Sequence, residues 1–125
     1  MSKFIEVFKE YDGEPFVLGT RDCNLMILNG TGYSGAIPCY SSLKEAHEVA
    51  NKLGFTVMDD YLSSVGYKQI NSAFISDFDI VIDGIHCAVY LDGRMFMYNQ
   101  ETNLFGFFPF NKEELKTKKV FHRWK

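Results

Sequence analysis

Asp79-Ile80-Val81-Ile82-Asp83-Gly84-Ile85-His86-Cys87-Ala88-Val89-Tyr90-Leu91-Asp92-Gly93 is the most strongly patterned stretch of this chain. Asp79 to Ile82 and Ile85 to Leu91 are β-branched, apolar runs of strand length. Asp83-Gly84 between them is a strong two-residue hairpin signal, because both residues tolerate the positive φ of a tight primed turn. Asp92-Gly93 repeats that signal, and Arg94 to Tyr98 makes a third strand. The stretch therefore predicts an antiparallel meander. Downstream, residues 104–110 are aromatic-rich and hold Gly106 and Pro109, which suits an irregular edge strand. Lys119 to Trp124 supplies a last strand.

Upstream the periodicity changes from two to between three and four. Phe4, Val7, Phe8 and Tyr11 sit at helical spacing, with Gly13 as a stop. Glu14 to Gly19 is an extended approach to Thr20-Arg21-Asp22-Cys23, where Asp22 suits the N-cap of a short helix that Asn29-Gly30-Thr31-Gly32 ends. Tyr33 to Tyr40 is loop, with Gly35 and Pro38. Ser42-Leu43-Lys44-Glu45 matches a capping box, and Leu43, Ala46, Val49, Ala50 and Leu53 form an apolar stripe before Gly54. Asp59 to Val65 is a further short helix, closed by Gly66. Helices first and sheet second is the α+β pattern. At 125 residues, nearly half of them hydrophobic and with twelve Phe and seven Tyr, the chain is expected to be one domain, 1–125, around one core.

Charge and targeting signals narrow the function classes. A net charge of −3 argues against a dedicated nucleic-acid binder. No apolar run approaches the roughly 20 residues that cross a bilayer. The segment Met1 to Glu6 lacks the apolar core and cleavage site of a signal peptide. Three cysteines in no framework spacing point to a reducing compartment. A cytoplasmic protein is the expectation, compatible with later incorporation into a particle.

Cys23 is the candidate nucleophile, because a thiol in the first turn of a helix feels the positive end of the helix dipole and unpaired N–H groups, which favour the thiolate. It needs a histidine base and a third, orienting group. His47 falls at the edge of a helical stripe and reads as a solvated surface residue. His122 has ambiguous facing. Strict alternation puts His86, Ala88 and Tyr90 on one strand face and Ile85, Cys87, Val89 and Leu91 on the other, more apolar one. His86 is the expected base if the Cys23 helix lies on its face. A half-buried strand histidine bonded to backbone is the plainer alternative.

The Asp22-Cys23 helix start, followed by Asp79-Ile80-Val81-Ile82 and His86-Cys87-Ala88-Val89-Tyr90-Leu91-Asp92-Gly93, resembles the NlpC-type, papain-like cysteine peptidases. Within that group the order of segments resembles a small, largely phage-encoded branch. The matching segments are Phe16 to Cys23, Thr31-Gly32, Tyr40-Ser41 and Phe121 to Trp124. The resemblance implies a papain-like fold, Cys23 as nucleophile and His86 as general base. Its third residue belongs on the strand after Asp92-Gly93, near Met97 or Tyr98, where Asn99 is the nearest conventional orienting side chain. Phe78 stands where the family has the glycine of a Gly-Asp pair.

The implied chemistry is attack of the Cys23 thiolate on a peptide or amide carbonyl, with an acyl-enzyme then hydrolysed by water. The backbone N–H of Cys23 is placed to help hold the oxyanion. A cell-wall peptide is the typical substrate of the family. The alternative on the same scaffold is a non-enzymatic protein, either a virion or tail-assembly component or an inhibitor that binds a host protein.

No cofactor or metal is expected, since Cys23, Cys39, Cys87 and the histidines lack ligand spacing. Asp77, Asp79 and Asp83 are explained by strand-start and turn positions. Phe105, Phe107 and Phe108 are expected either in the core or as an aromatic patch for a protein partner. The basic run Lys116 to Lys119, with Arg123 and Lys125, reads as a solvated face.

Overall fold

Phe4, Val7, Phe8 and Tyr11 all point one way from the first helix and all are buried, so that helix is fixed by its packing. The molecule is described by a computed structural model covering residues 2–33, 35, 37, 40–54, 57–84 and 86–124. Met1, Pro38, Cys39, Ile85 and Lys125, which figure in the expectations above, lie outside those residues.

Helices α1 (Phe4–Tyr11), α2 (Cys23–Gly30), α3 (Leu43–Lys52) and α4 (Met58–Ser64) precede β1 (Tyr67–Ile70) and a 3-10 turn at Ser72–Phe74. Then come β2 (Ile80–Asp83), β3 (His86–Leu91), β4 (Arg94–Asn99), β5 (Leu104–Phe108), α5 (Lys112–Leu115) and β6 (Lys119–Arg123). The strands form one six-stranded sheet in the order β1-β6-β2-β3-β4-β5, with every neighbouring pair antiparallel. The α+β class holds. The β2–β3–β4–β5 meander also follows the sequence pattern.

Three features differ from the sequence expectation. Strand β1, only four residues long and half polar, carried no readable alternation. Helix α5 is a single turn, capped by Asn111, whose side chain accepts from the Glu113 N–H. Strand β6 inserts between β1 and β2, and such a long-range pairing leaves no local mark. The first hairpin is also shifted by one residue. Asp83 pairs with His86 and so belongs to the ladder rather than to the turn, whereas Leu91 pairs with Arg94 around Asp92-Gly93 as expected. Asp92 and Gly93 both take positive φ, 48° and 79°, as a primed turn requires.

The sheet separates two cores. One face carries Ile80, Ile82, Cys87, Val89, Phe96, Phe105 and Phe121 and packs against α1, α2 and α4. The other carries Val81, Ala88, Met95 and Val120 and is covered by Leu115 of α5, with Ile70, Ile75, Tyr90, Met97 and Phe110 around it. The larger core is aromatic. Phe8 meets Phe96 and Phe107 at ring-centroid distances of 4.6 and 5.2 Å, and Tyr11 meets Phe105 at 5.1 Å. Each such buried ring contributes roughly 1.5–3 kcal/mol by leaving water. Phe105 is 1% exposed and Phe107 packs against the same cluster, so these two rings are core; only Phe108 of the trio stands outside both packed clusters.

Helix α3 begins with the serine half of its capping box, Glu45 donating its N–H to the Ser42 hydroxyl at 3.1 Å, while the Glu45 carboxylate reaches one residue further back and accepts the Ser41 N–H at 3.1 Å. Its stripe is only partly covered, with Val49 buried and Leu43 68% exposed. Phe78 takes φ +69°, a left-handed conformation that costs a side-chain-bearing residue roughly 1–2 kcal/mol. This is the position at which the resembling family has glycine. Here the strain is offset by packing of the Phe78 ring against the larger core and by a 2.7 Å hydrogen bond from its N–H to the Tyr90 carbonyl.

Candidate functional site

The start of α2 is built by a turn. Val17 and Arg21 form an antiparallel bridge, and Gly19 between them takes φ +82°. Gly19 is held there for a second reason, because a Cβ would collide with the backbone carbonyl of Tyr40. Asp22 is 2% exposed and collects three donors. Its Oδ1 accepts the Leu25 N–H at 2.9 Å, the N-cap bond expected from sequence. Its Oδ2 accepts the Gly19 N–H at 2.8 Å and the Tyr40 hydroxyl at 2.6 Å. Tyr40 thereby ties the far end of the 33–40 loop to the turn. Burial and the Asp22 carboxylate push the Tyr40 phenol upward, so it stays a donor.

Cys23 follows in the first helical turn, as predicted, but it faces inward and is 7% exposed. Burial pushes its thiol up from the ordinary value, the backbone N–H of Cys87 working in the opposite direction. Desolvation outweighs what the helix start offers the thiolate. Burial therefore works against the activation expected from the helix start. The neighbouring Cys87 is buried too, and burial likewise raises its thiol.

His86 does not meet Cys23. Helix α2 packs against α1 and β3, and its side chains share a core with Cys87, Val89 and Leu91. Ala88 and Tyr90 belong to the opposite core. The β2–β3 register runs without a bulge from Ile80–Val89 to Asp83–His86. His86 accordingly shares the face of Ala88 and Tyr90, and it is exposed. The expectation that α2 would lie on the His86 face is corrected: the helix covers the more apolar face, where burial gains more. Among the described residues no hydrogen bond or ion pair joins the Cys23 thiol to a histidine.

Asn99 ends β4 on the face of Met95 and Met97, which pack into the smaller core, so it too points away from Cys23. Its side chain accepts the Glu101 N–H at 2.8 Å and caps the next turn. Tyr98 lies on the Cys23 side of the sheet, but its ring packs on Phe16 and its hydroxyl donates to Asn103 at 2.7 Å. No orienting residue for a cysteine–histidine pair is assembled by these side chains.

A different pair is assembled. Asp79, 2% exposed, lies 2.6 Å through Oδ1 from His122 Nδ1. Its Oδ2 accepts the Ser76 N–H at 2.9 Å and the Ser76 hydroxyl at 3.3 Å. The His122 ring stands edge-on to Trp124 at 4.5 Å. Nδ1–H is the donor that this contact with the carboxylate requires. The pair straddles β6 and the lead-in to β2, so it clamps the out-of-sequence strand into the sheet. The one available signal was alternation, which sets Val120 and His122 opposite Phe121.

The other acidic candidates are engaged separately. Asp77 accepts the Asp92 N–H at 2.9 Å, and Asp83 lies 3.8 Å from Lys118. Among the described residues no group of three or more His, Cys, Asp or Glu side chains is placed to hold a metal ion.

Two concavities among the described residues bear on the site. The larger, about 600 Å³, runs beside α1 between Lys3, Glu6, Glu10, Asn29 and Tyr33. The smaller, about 220 Å³, lies at the end of β2 among Val57, Asp59, Ile82, Asp83 and Lys119. It is spanned by a 2.7 Å ion pair between Lys119 and Asp59. Neither is lined by Cys23 or His86.

No protein-family model, curated protein or solved structure matches this chain. Among the described residues no helix is long and apolar enough to cross a membrane.

Proposed function

We propose that this chain is a papain-like, NlpC-type scaffold that works by binding another protein and not as a cysteine peptidase. The observation that carries this is the placement of Cys23 and His86 on opposite faces of the sheet, with the thiol in the core. Catalysis through the pair needs the sulfur near an imidazole nitrogen and a groove beside them. The scaffold assignment is supported by Asp22-Cys23 opening a helix that packs on the His86-bearing strand, and by the positive φ of Phe78 at the family's glycine position. A structural role for Asp22, tying turn, helix and loop together, accounts for the Asp-Cys pair without chemistry. A virion or tail-assembly component, or an inhibitor of a host protein, is the corresponding biological role.

The test is turnover. A panel of peptide, amide and muramyl-peptide substrates is expected to give rates that do not differ between the wild type and Cys23→Ala. Hydrolysis by the wild type that disappears in Cys23→Ala would restore the peptidase.

A further inference from the structure

The two edges of the sheet are treated differently. The β5 edge is covered by the segment after α1: Gly13 donates its N–H to the Phe105 carbonyl, Phe105 donates to the Glu14 carbonyl, both at 2.9 Å, and Pro15 bridges to Leu104. Strand β1, at the other edge, pairs with β6 alone, and among the described residues its backbone makes no further hydrogen bond. Open edges are normally covered or blunted. The one blunting device here is Lys68.

Exposed aromatic rings follow both β1 and its partner β6 in the chain. Phe74 and Trp124 are 75% and 61% exposed. Ser76 touches His122, at 3.4 Å, and His122 is the register partner of Lys68. The turn after β1, which carries Phe74, therefore passes beside β6 on its way to β2. Trp124 stands beside the His122 ring on the neighbouring strand.

We propose that the open edge of β1, with exposed Phe74 in the turn that follows it and exposed Trp124 just after its partner strand β6, docks an extended acidic segment of another protein, which joins the sheet as an added strand. This deepens the binding role proposed above and rests on it. Backbone groups of β1 supply the strand pairing, and the two aromatic rings supply the anchors.

Charge selects the partner. Lys68 and Arg123 form no ion pair among the described residues, and Arg123 lies over the Tyr67 ring at 4.9 Å. Register sets Arg123 with Tyr67 and Lys68 with His122, so one unpaired cation stands on each face of the sheet beside this edge, on a chain of net charge −3. A second copy fits badly, because antiparallel β1–β1 pairing brings the two Lys68 side chains onto one face as near neighbours and sets Arg123 on both flanks. The overall negative charge disfavours nucleic acid.

The probe is a displayed library of random decapeptides selected on the full chain, followed by synthesis of the enriched peptides. Enriched sequences are expected to be acidic, to slow amide exchange at residues 67–70, and to bind about tenfold or more weakly to Lys68→Glu and to Trp124→Ala. Both side chains are exposed, so unfolding temperatures are expected to stay at the wild-type value. Absence of enrichment, basic or neutral sequences, or affinity unmoved by Lys68→Glu would overturn the proposal. So would a dimer abolished by Lys68→Glu, or an oligonucleotide that binds in place of the peptides. Cysteine-dependent turnover with acidic peptides still bound would overturn the non-catalytic role and leave this surface standing.

Discussion

Asp22→Ala is expected to destabilise the protein by about 3 kcal/mol, a fall in unfolding temperature on the order of 10 °C for a chain of this size. Loss of an N-cap costs about 1 kcal/mol. The remainder comes from the Gly19 N–H and the Tyr40 hydroxyl, which lose their acceptor in a largely buried place and cost roughly 1 kcal/mol each. Asp22→Asn keeps the N-cap acceptor and is expected to lose about half as much. Tyr40→Phe alone should cost about 1 kcal/mol, and its effect should largely vanish in the Asp22→Ala background, since both act through one carboxylate. Denaturant unfolding of the four proteins checks this. Additive losses would show that the loop and the helix start are held independently.

His122→Ala is expected to cost about 2 kcal/mol, with Asp79→Asn partly restoring what is lost. Removing the partner of a buried carboxylate is costly, up to about 3–5 kcal/mol where the pair is fully buried, because the carboxylate is left short of a donor. The discount reflects the partial exposure of the His122 ring, 26% against 3% for Asp79, and the Ser76 donors that remain on the carboxylate. In the double variant Asp79→Asn/His122→Ala the orphaned charge is gone, so stability is expected to recover by about 1 kcal/mol. A double variant less stable than His122→Ala would show that Asp79 matters for packing and not for its charge. Because the pair joins β6 to the β2 lead-in, loss of amide-exchange protection should be largest in β1 and β6.

The parts of this molecule that the sequence reveals are those governed by local chemistry. The Ser42–Glu45 cap, the Asp22 N-cap, the Asp92-Gly93 turn and the meander all depend on residues within a few positions of one another. Alternation also sorted His86 from Cys87 correctly. What it did not supply was the identity of the face that α2 covers, because that is decided by total apolar area: Ile80, Ile82, Val89, Phe96 and Phe121 outweigh Val81, Ala88 and Met95. The neutral, buried state of Cys23 follows from that choice. Asp79–His122 was hidden for a related reason, since it depends on β6 entering the sheet between β1 and β2. The edge at β1 was invisible because Tyr67 to Ile70 is short and half polar.

The alkylation rate of Cys23 against pH, read by mass spectrometry at that residue in the Cys39→Ser protein and again with His86→Ala, tests most directly whether this thiol is structural. Burial raises the thiol above its ordinary value. The native protein therefore holds its proton longer than the unfolded chain, and reactivity should be slow and begin only above the free-thiol range near about 8.5. The His86 substitution should change nothing. A reactive plateau reached well below that range and abolished by His86→Ala would contradict the account and put a thiolate–imidazolium pair in its place.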